Sequence, residues 1–209
     1  MCGHALFVVA QAAFGHLSEA REVAISLLSQ PNVGDYAKED GALIFAWVGE
    51  TARADSLVES LAKGRPEATI VQSVVLPTVR AEAEIFKKRP ERSIELLRSA
   101  APYQFSWDAF SGAYKGCLYP VYVRGQAYLA LKDGLAAQAE FKKILNHRGI
   151  VRTCETGALA RLGIARAYVV QGNTSKAKVA YQEFLTLWKD SDPDIPILNH
   201  AKTEYAKLQ

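Results

Sequence analysis

A glycine followed five residues later by an alanine occurs three times in this chain: Gly15 with Ala20, Gly49 with Ala54, and Gly172 with Ala177. After each alanine, apolar or small residues return at offsets of four and seven: Ala24 and Leu27, Val58 and Leu61, Tyr181 and Phe184. Those offsets put all three side chains on one helical face. Gly15 and Gly49 lie 34 residues apart. A fourth copy keeps Ala137, Phe141 and Ile144, with Lys132 in the glycine's place and Gly134 nearby. Repeated units of this kind bury their apolar faces only by stacking on one another.

The turn chemistry points the same way. Each glycine follows an apolar stretch of helical character and can end a helix in a left-handed conformation. Ser18, Thr51, Asp133, and Asn173 or Thr174 are candidate N-caps for the helix that follows. Each unit therefore reads as helix, tight turn, helix, with Pro31 and Pro66 as the clearest breakers. The small residue near the start of the second helix lets the two helices approach closely. A larger side chain there would overpack the crossing by roughly 1–3 kcal/mol.

A more degenerate pair reads from LPTVRAEAEIFKKRPERSIELLRSAAP: a helix to about Phe86, a turn with Pro90 in the first turn beyond, and a helix to about Ala100. Ile94 takes the alanine position in this reading. The β-branched run ATIVQSVVLP, residues 68 to 77, opens the helix of this third unit, because its neighbours are helical on both sides. The fold class is all-α, an α-solenoid of about five antiparallel helix pairs in a single domain, residues 1–209. The units fall near 1–34, 35–68, 69–102, 117–150 and 157–190. A helix at 195–208, entered through Pro193 and Pro196, caps the array with Lys202, Glu204 and Lys207 on its polar face.

Two insertions break the period, at 101–118 and 146–157. The first holds Tyr103, Phe105, Trp107, Phe110 and Tyr114, with Tyr119 just beyond. It reads either as an aromatic contact surface or as a segment that folds back to fill irregular stacking.

Composition excludes several classes. A net charge of +3 with 22% charged residues leaves no basic stripe for nucleic acid. The run Lys87-Lys88-Arg89 is diluted by Glu91 and Glu95 and reads as a solvated turn. No apolar run reaches the roughly 18 residues of a membrane span. The segment ALFVVAQAAF lacks the positive flank of a signal peptide and reads as a buried first helix. Cys2, Cys117 and Cys154 are odd in number and far apart, so neither a zinc site nor a disulfide framework is expected, and a reducing, cytoplasmic compartment fits. His4, His16, His147 and His200 are scattered without a repeating partner, so no catalytic residue, metal or cofactor is expected.

Units near 34 residues with a turn glycine and small and aromatic residues after it resemble tetratricopeptide repeats. Gly49, Ala54 and Pro66 carry the resemblance in the second unit; Gly125, Tyr128, Ala137 and Phe141 in the fourth; Tyr168, Gly172, Ala177 and Tyr181 in the fifth. The family's first-helix tryptophan is absent from every unit. The final stretch, AYQEFLTLWKDSDPDIPILNHAKTEYAKL, with YPVYVRGQAYLAL and HRGIV, resembles the repeat modules behind acidobacterial serine/threonine protein kinases and winged-helix transcription regulators.

The resemblance implies a non-catalytic scaffold that binds a protein or peptide, as the interaction module of a larger signalling protein. It leaves open a regulatory or self-association domain whose partner is a kinase or DNA-binding domain of the same polypeptide. The kinase motifs are missing, so no phosphotransfer is expected of the chain itself. A helical enzyme is the remote third reading, since the four histidines are scattered without partners. In the resembled family the first helix of each pair lines the groove, which implies Tyr119, Tyr122 and Gln126 in the fourth unit and Leu162 and Arg166 in the fifth. These residues would suit a short peptide with a polar or acidic feature, or else they pack between neighbouring helices. They do not reproduce the lysine and asparagine clamp for chaperone tails.

Overall fold

The computed structural model describes residues 2–106 and 117–209, with side chains in the first helix from residue 8 onward. Every element among the described residues is helical. The order is α1 (Cys2–Ala13), α2 (Leu17–Leu28), α3 (Asp35–Trp47), α4 (Thr51–Gly64), α5 (Leu76–Phe86), α6 (Pro90–Leu96), α7 (Tyr119–Ala130), α8 (Gly134–Asn146), α9 (Arg148–Val151), α10 (Glu155–Val170), α11 (Thr174–Leu187) and α12 (Pro196–Ala206). A π-helical turn, Val71–Val75, leads into α5, and a 3-10 turn, Ala101–Tyr103, follows α6. The β-branched run before Pro77 is thus helical, as the reading of its neighbours required.

Helices pack in consecutive pairs: α1 with α2, α3 with α4, α5 with α6, α7 with α8, α10 with α11. The second helix of each pair also touches the first helix of the next. The first helices α1, α3, α5, α7 and α10 touch one another in that order.

One backbone feature sets the register of every pair. The residue in each intra-pair turn has a positive φ: Gly15 at 101°, Gly49 at 84°, Lys88 at 61°, Lys132 at 62° and Gly172 at 71°. Five residues beyond it comes a small residue with no exposed surface: Ala20, Ala54, Ser93, Ala137 and Ala177. Nine residues beyond it comes a buried core residue: Ala24, Val58, Leu97, Phe141 and Tyr181. The third pair therefore keeps the small position, but as Ser93. Ile94, expected there, is only half-buried. The third pair is thus registered one residue earlier than its sequence reading, on Ser93.

Two large cores flank the third pair. One joins α1 to α5 through Val9, Phe45, Val58 and Val75; the other joins α7 to α12 through Phe141, Leu162, Tyr181 and Phe184. Leu97 of the third pair joins Ala81 and Val123 in a small cluster between them. The ring of Phe141 lies between α7 and α10, where a Cβ on Gly125 or Gly163 would come within 2.6 Å of it. Glycine on both sides is what lets so large a ring enter a helix crossing.

The two ends of the chain meet. The Ile197 N–H donates to the Phe14 carbonyl at 3.0 Å, and Phe14 meets Trp188 edge-on at 5.0 Å between ring centres. Gly15 abuts Pro196 so closely that an added Cβ would lie 2.8 Å from the proline's own. The last helix thus meets the turn of the first pair as well as α11.

Some local expectations need correcting. Asp133 and Asn173 do cap their helices, accepting from the Ala136 and Lys176 N–H groups at 2.9 and 3.1 Å. Ser18 and Thr51 do not, because α2 starts at Leu17 and α4 at Thr51 itself. α6 stops at Leu96, short of Ala100. The insertion at 146–157 contains the short helix α9.

Cys117 and Cys154, 37 residues apart, form a disulfide with a Cα separation of 5.3 Å. Their spacing hid it, because only the packing of α7 on α10 brings the segment before one helix to the cap of the other. The Thr156 hydroxyl donates to the Cys117 carbonyl at 2.5 Å and fixes the same junction. A reducing compartment, inferred from cysteine spacing, loses its basis, since such bonds persist in oxidising surroundings. No helix among the described residues is long and apolar enough to cross a membrane.

Of the aromatic insertion, Trp107, Phe110 and Tyr114 lie outside the described residues. Phe105 stacks on His147 at 4.2 Å between ring centres, and Tyr119 is fully buried beside Trp47. Tyr119 therefore fills space, whereas Tyr103 and Phe105 are both exposed.

Candidate functional site

Six residues ahead of each positive-φ turn residue, the first helices of the third, fourth and fifth pairs carry Glu82, Gln126 and Arg166. These are matched positions on three adjacent helices, so packing the helices side by side brings the three side chains together. They line one cavity of about 280 Å³, with Trp47 from α3, Tyr122 from α7 and His200 from α12. Small and aliphatic residues of α1 and α2, among them Ala12, Ala13 and Leu17, complete the wall.

Three of the residues expected from sequence meet here: Tyr122, Gln126 and Arg166. The Gln126 amide donates to the Tyr122 hydroxyl at 2.5 Å. Burial pushes the Tyr122 phenol up to about 12, with smaller influences from Arg166, Glu82 and Gln126. Tyr119 and Leu162 have no exposed surface at all, so they back the wall rather than face a ligand. Each lies on the inward stripe of its helix, where sequence periodicity does not separate a cavity lining from a core.

Arg166 is not a free cation. Its guanidinium makes a two-pronged pair with Glu204 of α12, both contacts at 2.9 Å, and the Tyr181 hydroxyl donates to the same carboxylate at 2.8 Å. Burial works against charge on Glu204, and the Arg166 guanidinium outweighs it, holding that carboxyl below its usual range. A fork-to-fork pair of this kind satisfies both partners. The expectation of an acidic ligand therefore loses the cation on which it rested.

Glu82 is the group that sequence reasoning missed. Its Oε2 has no exposed surface and no hydrogen-bond partner. Burial pushes its carboxyl up to about 7, against the opposing hydrogen bond from the Trp47 side chain. Leaving a buried acceptor unpaired costs about 1–3 kcal/mol, more if it is charged. The signal was present in the chain: counting back from Lys88 as the turn residue gives Glu82 the place of Gln126 and Arg166. Reading Ile94 as the small residue concealed it.

Two further buried carboxyls lie away from this cavity. Burial, then Glu39 and Glu155, raise Asp40 of α3 to about 7, and burial raises Glu155 of α10 to about 7. Asp40 Oδ1 and Glu155 Oε1 both lack a hydrogen-bond partner. Among the described residues no group of histidine, cysteine and carboxylate side chains is arranged to hold a metal ion. Cys2 and His4 have side chains outside the described set.

No protein-family model, curated protein or solved structure matches this chain.

Proposed function

We propose that this chain is a non-catalytic scaffold of tetratricopeptide-like helix pairs, stacked as an α-solenoid, that binds a peptide through its inner cavity. The observation that carries the reading is the unpartnered, buried oxygen of the Glu82 carboxylate beside a cavity walled by helices from every pair. A ligand that donates a hydrogen bond there would recover the cost of an orphan acceptor.

The ligand chemistry follows from the lining. Glu82 offers an acceptor, Trp47 and Tyr122 offer ring faces, and Arg166 is already occupied by Glu204. An ammonium or guanidinium fits this set, since a carboxylate pairs with it and aromatic faces attract it. A cavity of about 280 Å³ is the size of a single side chain rather than a drug-sized ligand. The reading is thus a basic side chain of a peptide, inserted while the rest of the peptide lies outside. Tyr122, Gln126 and Arg166 are each engaged with a neighbour, which leaves no activated nucleophile beside Glu82 and supports a binding rather than a catalytic role.

A degenerate peptide library with one fixed central residue tests this. Peptides fixed as lysine or arginine should be retained over those fixed as norleucine or glutamate. Glu82→Gln should remove that preference while the melting temperature at pH 4, where the carboxyl is already protonated, holds. Retention without preference for a basic residue, or a preference that survives Glu82→Gln, would sink the reading.

A further inference from the structure

Arginine in this protein is mostly paired. Of its twelve arginines, eight form an ion pair with a carboxylate: Arg21, Arg53, Arg65, Arg80, Arg89, Arg92, Arg124 and Arg166. Three of the other four, Arg148, Arg152 and Arg161, line the same cavity of about 370 Å³. Thr153 joins them, and no carboxylate lies among the lining residues. Chance placement on a surface with nearly balanced charge would scatter such unpaired cations. Here they converge.

The pocket is built where the repeat is interrupted, at the end of α8, along α9, at the start of α10 and at the end of α11. Its frame is fixed. Arg152 holds φ 50° and ψ −113°, a sparsely populated conformation for a residue with a side chain. Backbone hydrogen bonds from Arg152 to Arg148 and from Cys154 to Val151, at 2.8 and 2.9 Å, hold that turn. The disulfide to Cys117 anchors it two residues further on. Arg161 rises from α10 and is half-buried, while Arg148 and Arg152 are exposed. The opposite wall is apolar, formed by Trp188 and Leu187.

We propose that this pocket binds a phosphate monoester, with the dianion clamped by Arg148, Arg152 and Arg161 and its carbon body against Trp188 and Leu187. Planar guanidinium forks match phosphate oxygens two at a time, and a dianion answers three cations better than a single carboxylate does. The concave shape and adjoining apolar wall favour a compact ester over a flat lipid surface. A net charge of only +3 over the chain argues against nucleic acid. The same chemistry is carried by a phosphorylated peptide side chain or by a free small ester, and the inference is independent of the role given to Glu82.

Phenyl phosphate is the first probe, titrated calorimetrically at low salt and at about 0.3 M salt. Binding should weaken with salt, and Arg152→Ala, Arg148→Ala and Arg161→Lys should each weaken it about tenfold or more. Arg98→Ala, at the one arginine of the twelve outside both groups, and Glu82→Gln should leave it unchanged. The exposed Arg148 keeps the test decisive if changes at Arg161 disturb folding. Benzoate and phenol should bind far more weakly. Competition by phosphotyrosine-centred degenerate peptides beyond that of phenyl phosphate identifies a peptide source, and its absence a small ester; both outcomes uphold the clamp. Benzoate binding as tightly as phenyl phosphate, or Arg98→Ala losing as much as Arg152→Ala, overturns it.

Discussion

In the fifth pair, the turn between α10 and α11 rests on Gly172 at φ 71°, and Asn173 caps α11 by accepting from the Lys176 N–H. In the third pair, the turn between α5 and α6 rests on Lys88 at φ 61°, and α6 has no side-chain cap. α11 runs for 14 residues, α6 for only 7. The small crossing residue is Ala177 in one pair and Ser93 in the other, where the buried hydroxyl has no hydrogen-bond partner. Both pairs nonetheless bury equivalent positions. Local propensity supports the fifth pair, whereas the third is held in shape mainly by what packs on either side of it. That third pair also carries Glu82, whose Oε2 lacks a hydrogen-bond partner beside the cavity.

Cutting away the core residue nine positions after the turn tests this contrast most severely. Phe141→Ala should cost about 3–5 kcal/mol, because its ring fills a gap that two glycines hold open and helices cannot easily collapse into it. Leu97→Ala, in the small cluster of the third pair, should cost about 2–3 kcal/mol, since a short helix can shift towards the void. Urea unfolding measures both. A larger loss at Leu97 would mean that the third pair is the keystone and not the guest.

The carboxyl of Glu82 gives the next effect, and its sign is fixed by its raised pKa. A carboxyl moved from 4.5 to about 7 by burial takes up its proton more readily in the folded chain. Its stabilising contribution is complete below pH 4.5 and is lost as pH rises through about 7. At ~1.4 kcal/mol for each pH unit between those two values, the loss is roughly 3 kcal/mol for Glu82. Asp40 and Glu155, also raised to about 7, add loss over the same window. Glu82→Gln should therefore stabilise the protein at pH 8, change little at pH 4, and flatten the profile between. A wild-type stability that climbs from pH 5 to pH 8 contradicts the assignment.

Enlarging the crossing residue comes next in size. Ala54→Leu, Ala177→Leu and Ser93→Leu should each cost about 1–3 kcal/mol by overpacking. Ala130, exposed at the end of α7, should accept leucine within about 0.5 kcal/mol. Ser93→Leu decides the register of the third pair: if it is harmless while Ile94→Ala is costly, the alignment on Lys88 fails.

The same residues explain what could be read from the chain beforehand. The all-helical class was legible because glycine, alanine and the apolar face recur at fixed offsets, and those offsets have a physical cause. The caps at Asp133 and Asn173 were legible for the same reason. Tyr122, Gln126 and Arg166 followed from the resembled family's groove-lining helices, and the structure brings them to one cavity, but a helix face gives direction and not distance. It could not reveal that Glu204 occupies Arg166, or that Tyr119 and Leu162 are covered completely. The disulfide and the closure of Phe14 on Ile197 depend on contacts between distant segments, which no local pattern encodes. Glu82 was hidden by the one-residue offset that put Ile94 in the place of Ser93.

Lys88, the positive-φ turn residue of the third pair, supplies the smallest and most specific test. A left-handed conformation costs an ordinary residue roughly 1–2 kcal/mol, and glycine avoids that cost at an entropic penalty of about 0.5–1 kcal/mol. Lys88→Gly should then stabilise the protein slightly, by less than about 1 kcal/mol, and Lys132→Gly should do the same. The reverse change, Gly172→Ala, should lose about 1 kcal/mol from its φ alone, because an added Cβ there meets nothing within 4 Å. Gly49→Ala should lose more, because its Cβ would also run into the Phe86 ring. Measured together, the four variants separate backbone conformation from crowding. If Lys88→Gly destabilises the fold while Gly172→Ala does not, the positive-φ residue is not what aligns the five pairs, and the placing of Glu82 beside Gln126 and Arg166 loses its structural basis.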